Sequence, residues 1–108
     1  METSYLNEEK VLGPFAPSDP TLIPITIKNV DMPDAMQQTA IRLAKEAICY
    51  EKSLRDVAGH IKKGFDGEYG PTWNAVVGRN FGSYCTHESH SFIFFYVDGL
   101  AVLLFRTA

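Results

Sequence analysis

The chain has 108 residues, 45% of them hydrophobic and 21% charged, which describes one globular domain with room for a core and none for a second. No run approaches the ~20 apolar residues of a helical membrane span, and the polar start METSYLNEEK lacks the basic-then-apolar order of a secretory signal. Net charge is −3 and lies wholly within residues 1–26. The remainder balances nine acidic against nine basic side chains, without the basic footprint that phosphate contacts demand, so no nucleic-acid partner is expected. Two cysteines, Cys49 and Cys85, are too few for a disulfide scaffold and are expected as reduced cytosolic thiols.

Four of the six prolines fall at Pro14, Pro17, Pro20 and Pro24. Proline fixes φ and removes a donor, so residues 1–24 read as a flexible acidic, proline-rich extension before a domain over 25–108. A short strand is predicted over Ile23–Val30. Asp31, Pro33 and Asp34 then open a helix whose buried stripe is Met36, Ala40, Leu43, Ala44, Ala47 and Ile48. A second helix is predicted after Ser53, a capping residue, with Leu54, Val57, Ala58, Ile61 and Phe65 on its apolar face. Asp66-Gly67 is expected to end it, with Lys62 and Lys63 favouring its C-terminal dipole.

From Pro71 the period changes to two. Strands are predicted over Thr72–Val77, Phe81–His87, Phe92–Val97 and Leu100–Arg106, the last two joined by the hairpin dipeptide Asp98-Gly99. SFIFFYV and LAVLLFR are apolar at nearly every position, so they need cover on both faces, from helices or from another chain. Asn80–His87 is the odd strand. Gly82, Ser83 and Asn80 interrupt it, which suits an edge, and an open edge is either protected or a place where an extended peptide adds.

The stretch HIKKGFDGEYGPTWNAVVGRNFGSYCTHESHSFIFFYVDGLAVLLF, with IKNVDMPDAMQQ before it, resembles the small dynein light chains of the hub type. The resemblance covers about residues 25–108 and centres on GRNFGSY, THE and the aromatic strand after them. It implies an α+β homodimer, two helices on antiparallel sheets, with the Asn80–His87 strand crossing to the sheet of the partner subunit. It implies two grooves that take extended peptides with a Thr-Gln-Thr-like core, no catalysis and no cofactor. The implied partners are the dynein intermediate chain and other proteins carrying such segments, in the cytoplasm on the microtubule motor.

Carried onto this chain, the implied peptide-binding residues are Lys28, Leu54, Arg55, Asn80, Phe81, Gly82, Ser83, Tyr84, Cys85, Thr86, His87, Phe92, Phe94 and Tyr96. Asn74, Gly78, Arg79, Phe81, Ser83 and Tyr84 would lie at the dimer contact. Backbone groups of Phe81–His87 would pair with the guest, and two grooves on one dimer favour bivalent partners. The chain departs from the family pattern at several points. Leu54 replaces a glutamate that helps hold the peptide glutamine, and Ser53 can cap that helix itself, so weaker discrimination for glutamine is expected. Phe94 replaces a tyrosine, Cys85 a valine, and Thr107 a serine. Asn74 replaces a histidine at the dimer contact, so acid should split this dimer less readily.

Two other readings share the sequence. One is a clamp of the same fold that dimerises partners away from dynein. The other is a small thiol or metal enzyme built on Cys85, His87, Glu88 and His90. A zinc site needs four converging ligands, usually as two separated pairs, whereas these form one contiguous run with no second pair elsewhere.

Overall fold

The computed structural model describes residues 22–83 and 85–107. Strand β1 (Ile25–Asp31) leads into helices α1 (Asp34–Tyr50) and α2 (Leu54–Tyr69), then β2 (Trp73–Gly78), β3 (Phe92–Val97) and β4 (Leu100–Arg106). The four strands form one antiparallel sheet in the order β1-β3-β4-β2, so β1 and β2 are its edges. The fold is α+β, as the sequence predicts. The expected extension lies almost wholly outside the described residues. At its end Ile23 is buried, and the Pro24 carbonyl accepts the Asp98 N–H at 2.8 Å, so both belong to the body.

Helix α1 buries Ala40, Leu43, Ala44, Ala47 and Ile48 as its spacing requires, and Met36 packs at the margin. Ser53 caps α2, its hydroxyl accepting the Asp56 N–H at 3.2 Å. Asp66-Gly67 does not end this helix. It runs on to Tyr69 and stops at Gly70, whose φ of 83° is open to glycine and costly to other residues. Two contacts extend it. Asp66 accepts the Trp73 N–H at 2.8 Å and pairs with Lys62, while Phe65, Tyr69 and Trp73 pack in tilted and edge-on contacts with centroids 4.7–6.4 Å apart. Lys62 and Lys63 therefore sit mid-helix rather than at its C-terminal dipole. The Tyr69 hydroxyl and Thr39 Oγ1 meet at 2.8 Å and tie the end of α2 to α1.

Both helices lie on one face of the sheet. Trp73, Ile93, Phe95, Val97, Leu100, Val102 and Leu104 face them and are wholly buried. Among the described residues no helix lies on the opposite face, and the register sets three rows across β3, β4 and β2: Phe92–Phe105–Asn74, Phe94–Leu103–Val76 and Tyr96–Ala101–Gly78. Most of this second face is apolar, and Val76 is 42% exposed.

The predicted strand over Asn80–His87 forms no ladder among the described residues. Among the described residues, 79–83 and 85–88 carry no regular secondary structure. The reason is topological. β2 is joined to β3 by thirteen residues yet pairs with β4, so the connection must pass over the sheet rather than extend it.

Candidate functional site

A cleft of about 350 Å³ lies between this connecting segment and the β1–β3 edge of the sheet, lined by Asn29, Asp31, Ser83, Cys85, His87, Phe92 and Phe94. Ser83, Cys85 and His87 alternate, so an extended backbone sends all three to one side. Thr86, on the other parity, is exposed. The aromatic rings fix the segment against β3. Phe81 lies 6.0 Å from Phe94, and Phe94 lies 5.8 Å from Tyr96. His87 stacks on Phe92 at 4.7 Å with planes 23° apart, and its Nδ1–H donates to the Glu88 carbonyl at 2.8 Å.

Both ends of the segment are held. At the start, Gly78 leaves room that a Cβ would fill, 3.2 Å from the Phe81 ring. At the far end, Glu88 N–H donates to the Arg106 carbonyl at 3.0 Å, and Arg106 N–H donates to Ser91 at 3.1 Å. Arg106 itself donates to the Tyr69 carbonyl at 3.0 Å and lies over the Trp73 ring at 5.2 Å. Asp31, at the end of β1, accepts the His90 N–H at 3.1 Å and faces the His90 Nδ1 at 3.3 Å. Between these anchors the backbone near Ser83 and Cys85 runs without a ladder partner among the described residues.

A second cleft, of about 500 Å³, lies at the open edge of β2, where Ala58, Gly59 and Lys62 of α2 meet Asn74, Ala75 and Val76 of β2 and Phe105. Small side chains on α2 keep this space clear, and nothing lies within 4 Å of a Cβ built on Gly59.

Of the residues singled out in the sequence, Ser83, Cys85, His87, Phe92 and Phe94 come together at the first cleft. Phe81 and Tyr96 flank it through Phe94. Asn80 and Gly82 are exposed on the segment's approach, and Tyr84 lies outside the described residues. Lys28, Leu54 and Arg55 do not line this cleft within one chain. Lys28 sits at the β1 register shift, Leu54 packs against the core, and Arg55 is exposed at the start of α2. Asn74 and Gly78 lie on the helix-free face, and Arg79 follows them, exposed. Asn29 and Asp31 are cleft residues that the sequence reading missed. The pairing of β1 with β3, which sets Asn29 beside Phe94 and Asp31 beside Phe92, is what brings them there. Among the described residues no three His, Cys, Asp or Glu side chains converge as metal ligands. His87 is committed to Phe92 and Glu88, and His90 to Asp31.

Among the described residues a four-stranded antiparallel sheet, two helices on one of its faces and a pinned connecting segment without a ladder define a small α+β protein. The chain belongs to the dynein light chain family: the model of dynein light chain type 1 matches residues 24–107. A dynein light chain of Schistosoma mansoni is 53% identical over 81 residues, which cover 75% of this chain and 91% of that protein. Among solved structures, the dynein light chain-like domain of a Fasciola hepatica calcium binding protein superposes with a TM-score of 0.66 at 25% identity, covering 85% of this chain and 99% of that one. The DLC-like domain of CsTAL3 shares the fold, with a TM-score of 0.55 at 23% identity over 77% of this chain and 92% of that one. Among the described residues no helix is long and apolar enough to cross a membrane.

Proposed function

We propose that this dynein light chain acts as a homodimeric hub that binds extended partner segments by strand addition and holds two partner chains together. The observation that carries the reading is the 80–87 segment, anchored at both ends yet without a ladder in its own sheet. Donor and acceptor are both on the molecule. The segment supplies a candidate strand, and the open edge of β2, with its cleft beside α2, supplies a place for the partner's copy. The apolar helix-free face supports the same pairing, since Val76 stays 42% exposed on it and a second copy would cover it. With the segment so placed, its outer backbone edge would face a guest. Ser83, Cys85 and His87 would meet the guest's alternate side chains, with Asn29 and Asp31 opposite.

Arg55 and the start of α2 would join this groove from the other subunit, which accounts for their distance from it in one chain. The partners would be the dynein intermediate chain and other proteins with Thr-Gln-Thr-like segments, met in the cytoplasm on the microtubule motor. No chemical step is assigned to the cleft. Amide exchange on the full chain tests the reading. Adding a peptide with a Thr-Gln-Thr core should raise protection across Phe81–His87, and a matched peptide with prolines at alternate positions should not. Unchanged exchange across those residues under saturating peptide would overturn the proposal.

A further inference from the structure

Away from both clefts, α1 and α2 enclose a third space lined by Leu43, Glu46, Glu51, Asp56, Gly59, His60, Lys63 and Gly64. His60 projects from α2 into it and touches a carboxylate with each ring nitrogen. Nε2 lies 3.4 Å from Glu46 Oε1 on α1, and Nδ1 lies 3.3 Å from Glu51 Oε2 on the turn between the helices. A carboxylate only accepts, and a neutral imidazole has one N–H to give. Both contacts are hydrogen bonds only when the ring carries both protons.

We propose that His60 is a proton-operated latch across the helix pair. With two protons it joins α2 to Glu46 and Glu51 together; with one it keeps a single arm and turns a bare lone pair toward the other. The arm released is Glu46, because its second oxygen already accepts from Arg42 at 3.3 Å, while the Glu51 carboxylate has His60 as its one hydrogen-bonding partner among the described residues. The charged groups facing the ring are Glu46 from α1, Glu51 from the turn, and Asp56 and Lys63 from α2. The latch closes beside a tight approach of the helices, since a Cβ on Gly64 would stand 2.7 Å from Leu43 Cδ1. Glu51 is two residues before Ser53, so the latch bears on the start of α2; if the function proposed above holds, guest affinity follows the same proton.

The test compares the full chain with Glu46→Gln. A glutamine amide can donate to the bare Nε2, so in the variant the tie no longer needs the second proton. Denaturant titrations at an acid and an alkaline pH should show the wild-type folding constant falling about two- to fivefold relative to the variant once the ring has lost its second proton. His87 and His90 are common to both chains and cancel. Ring nitrogen spectra of His60 in the unmodified chain should show both nitrogens protonated at the acid end and Nδ1–H alone at the alkaline end. These spectra decide the matter even if the variant folds poorly. Superimposable pH profiles, or an Nε2–H that persists at the alkaline end, would overturn the latch. Neither readout depends on a guest, so a failure here is distinct from a failure of the hub reading.

Discussion

Replacing Val76 by glutamate puts the helix-free face to a direct test. Val76 lies on edge strand β2, opposite Leu103 and in the same row as Phe94, with 42% of its surface exposed. Burying a whole valine side chain stabilises by about 1.5–3 kcal/mol, so covering the exposed remainder contributes about 1 kcal/mol per protomer. On the proposed pairing a twofold contact counts it twice, about 2 kcal/mol, or roughly thirtyfold in the dimer dissociation constant. Val76→Ala keeps the β-carbon and removes two methyl groups, about 0.7 kcal/mol per protomer, so it should weaken self-association about tenfold. Val76→Glu adds an unpaired carboxylate on each side, which costs several kcal/mol more, and should leave a monomer. Sedimentation velocity over a dilution series reads both effects. Circular dichroism provides the control, since an exposed edge position should tolerate either change without unfolding. A Val76→Glu chain that sediments like the unmodified protein would refute the argument, as would an unmodified chain that is monomeric throughout.

Further expectations follow from the helices. Gly67→Ala should stabilise the fold by about 0.5–1 kcal/mol, since helix propensity improves and nothing lies within 4 Å of the new methyl. Gly64→Ala should fall at least about 1 kcal/mol short of that gain, because its methyl meets Leu43; equal melting temperatures would contradict the close approach. Lys62 and the Trp73 N–H hold the Asp66 carboxyl below its usual range, so its contribution is complete above that range and lost as pH falls through the lowered value. Asp66→Asn should thus cost up to about 1 kcal/mol at neutral pH, with the gap to the unmodified chain closing in acid; a gap that widens in acid would rule this out. For guests, replacing the central glutamine of a Thr-Gln-Thr peptide by alanine should cost less than about 2 kcal/mol by calorimetry, and a larger loss would disprove it. The grounds are that Ser53 already takes the Asp56 N–H and Leu54 turns into the core.

The elements legible in the sequence were those whose pattern is local. The three- and four-residue spacing of Ala40, Leu43, Ala44, Ala47 and Ile48 marks α1, and Asp98-Gly99 marks the β3–β4 hairpin, where Asp98 adopts the required positive φ of 55°. The end of α2 was not legible, because Asp66-Gly67 looks like a stop until Trp73, seven residues on, supplies its N–H to Asp66. Half of the candidate cleft was visible in the alternation of Ser83, Cys85 and His87. The other half, Asn29 and Asp31, depends on a pairing across more than sixty residues of chain that no local pattern reports.

The register shift at Lys28 has a consequence for assembly. The sheet ends on two edges, and on the proposed reading only the β2 edge receives a strand from a neighbour. The β1 edge presents an irregular backbone between Ile27 and Asn29, with a lysine at the irregularity, and both features discourage a further ribbon from adding there. On that reading growth has one permitted direction and is capped in the other, so copies would close into pairs rather than stack into fibres.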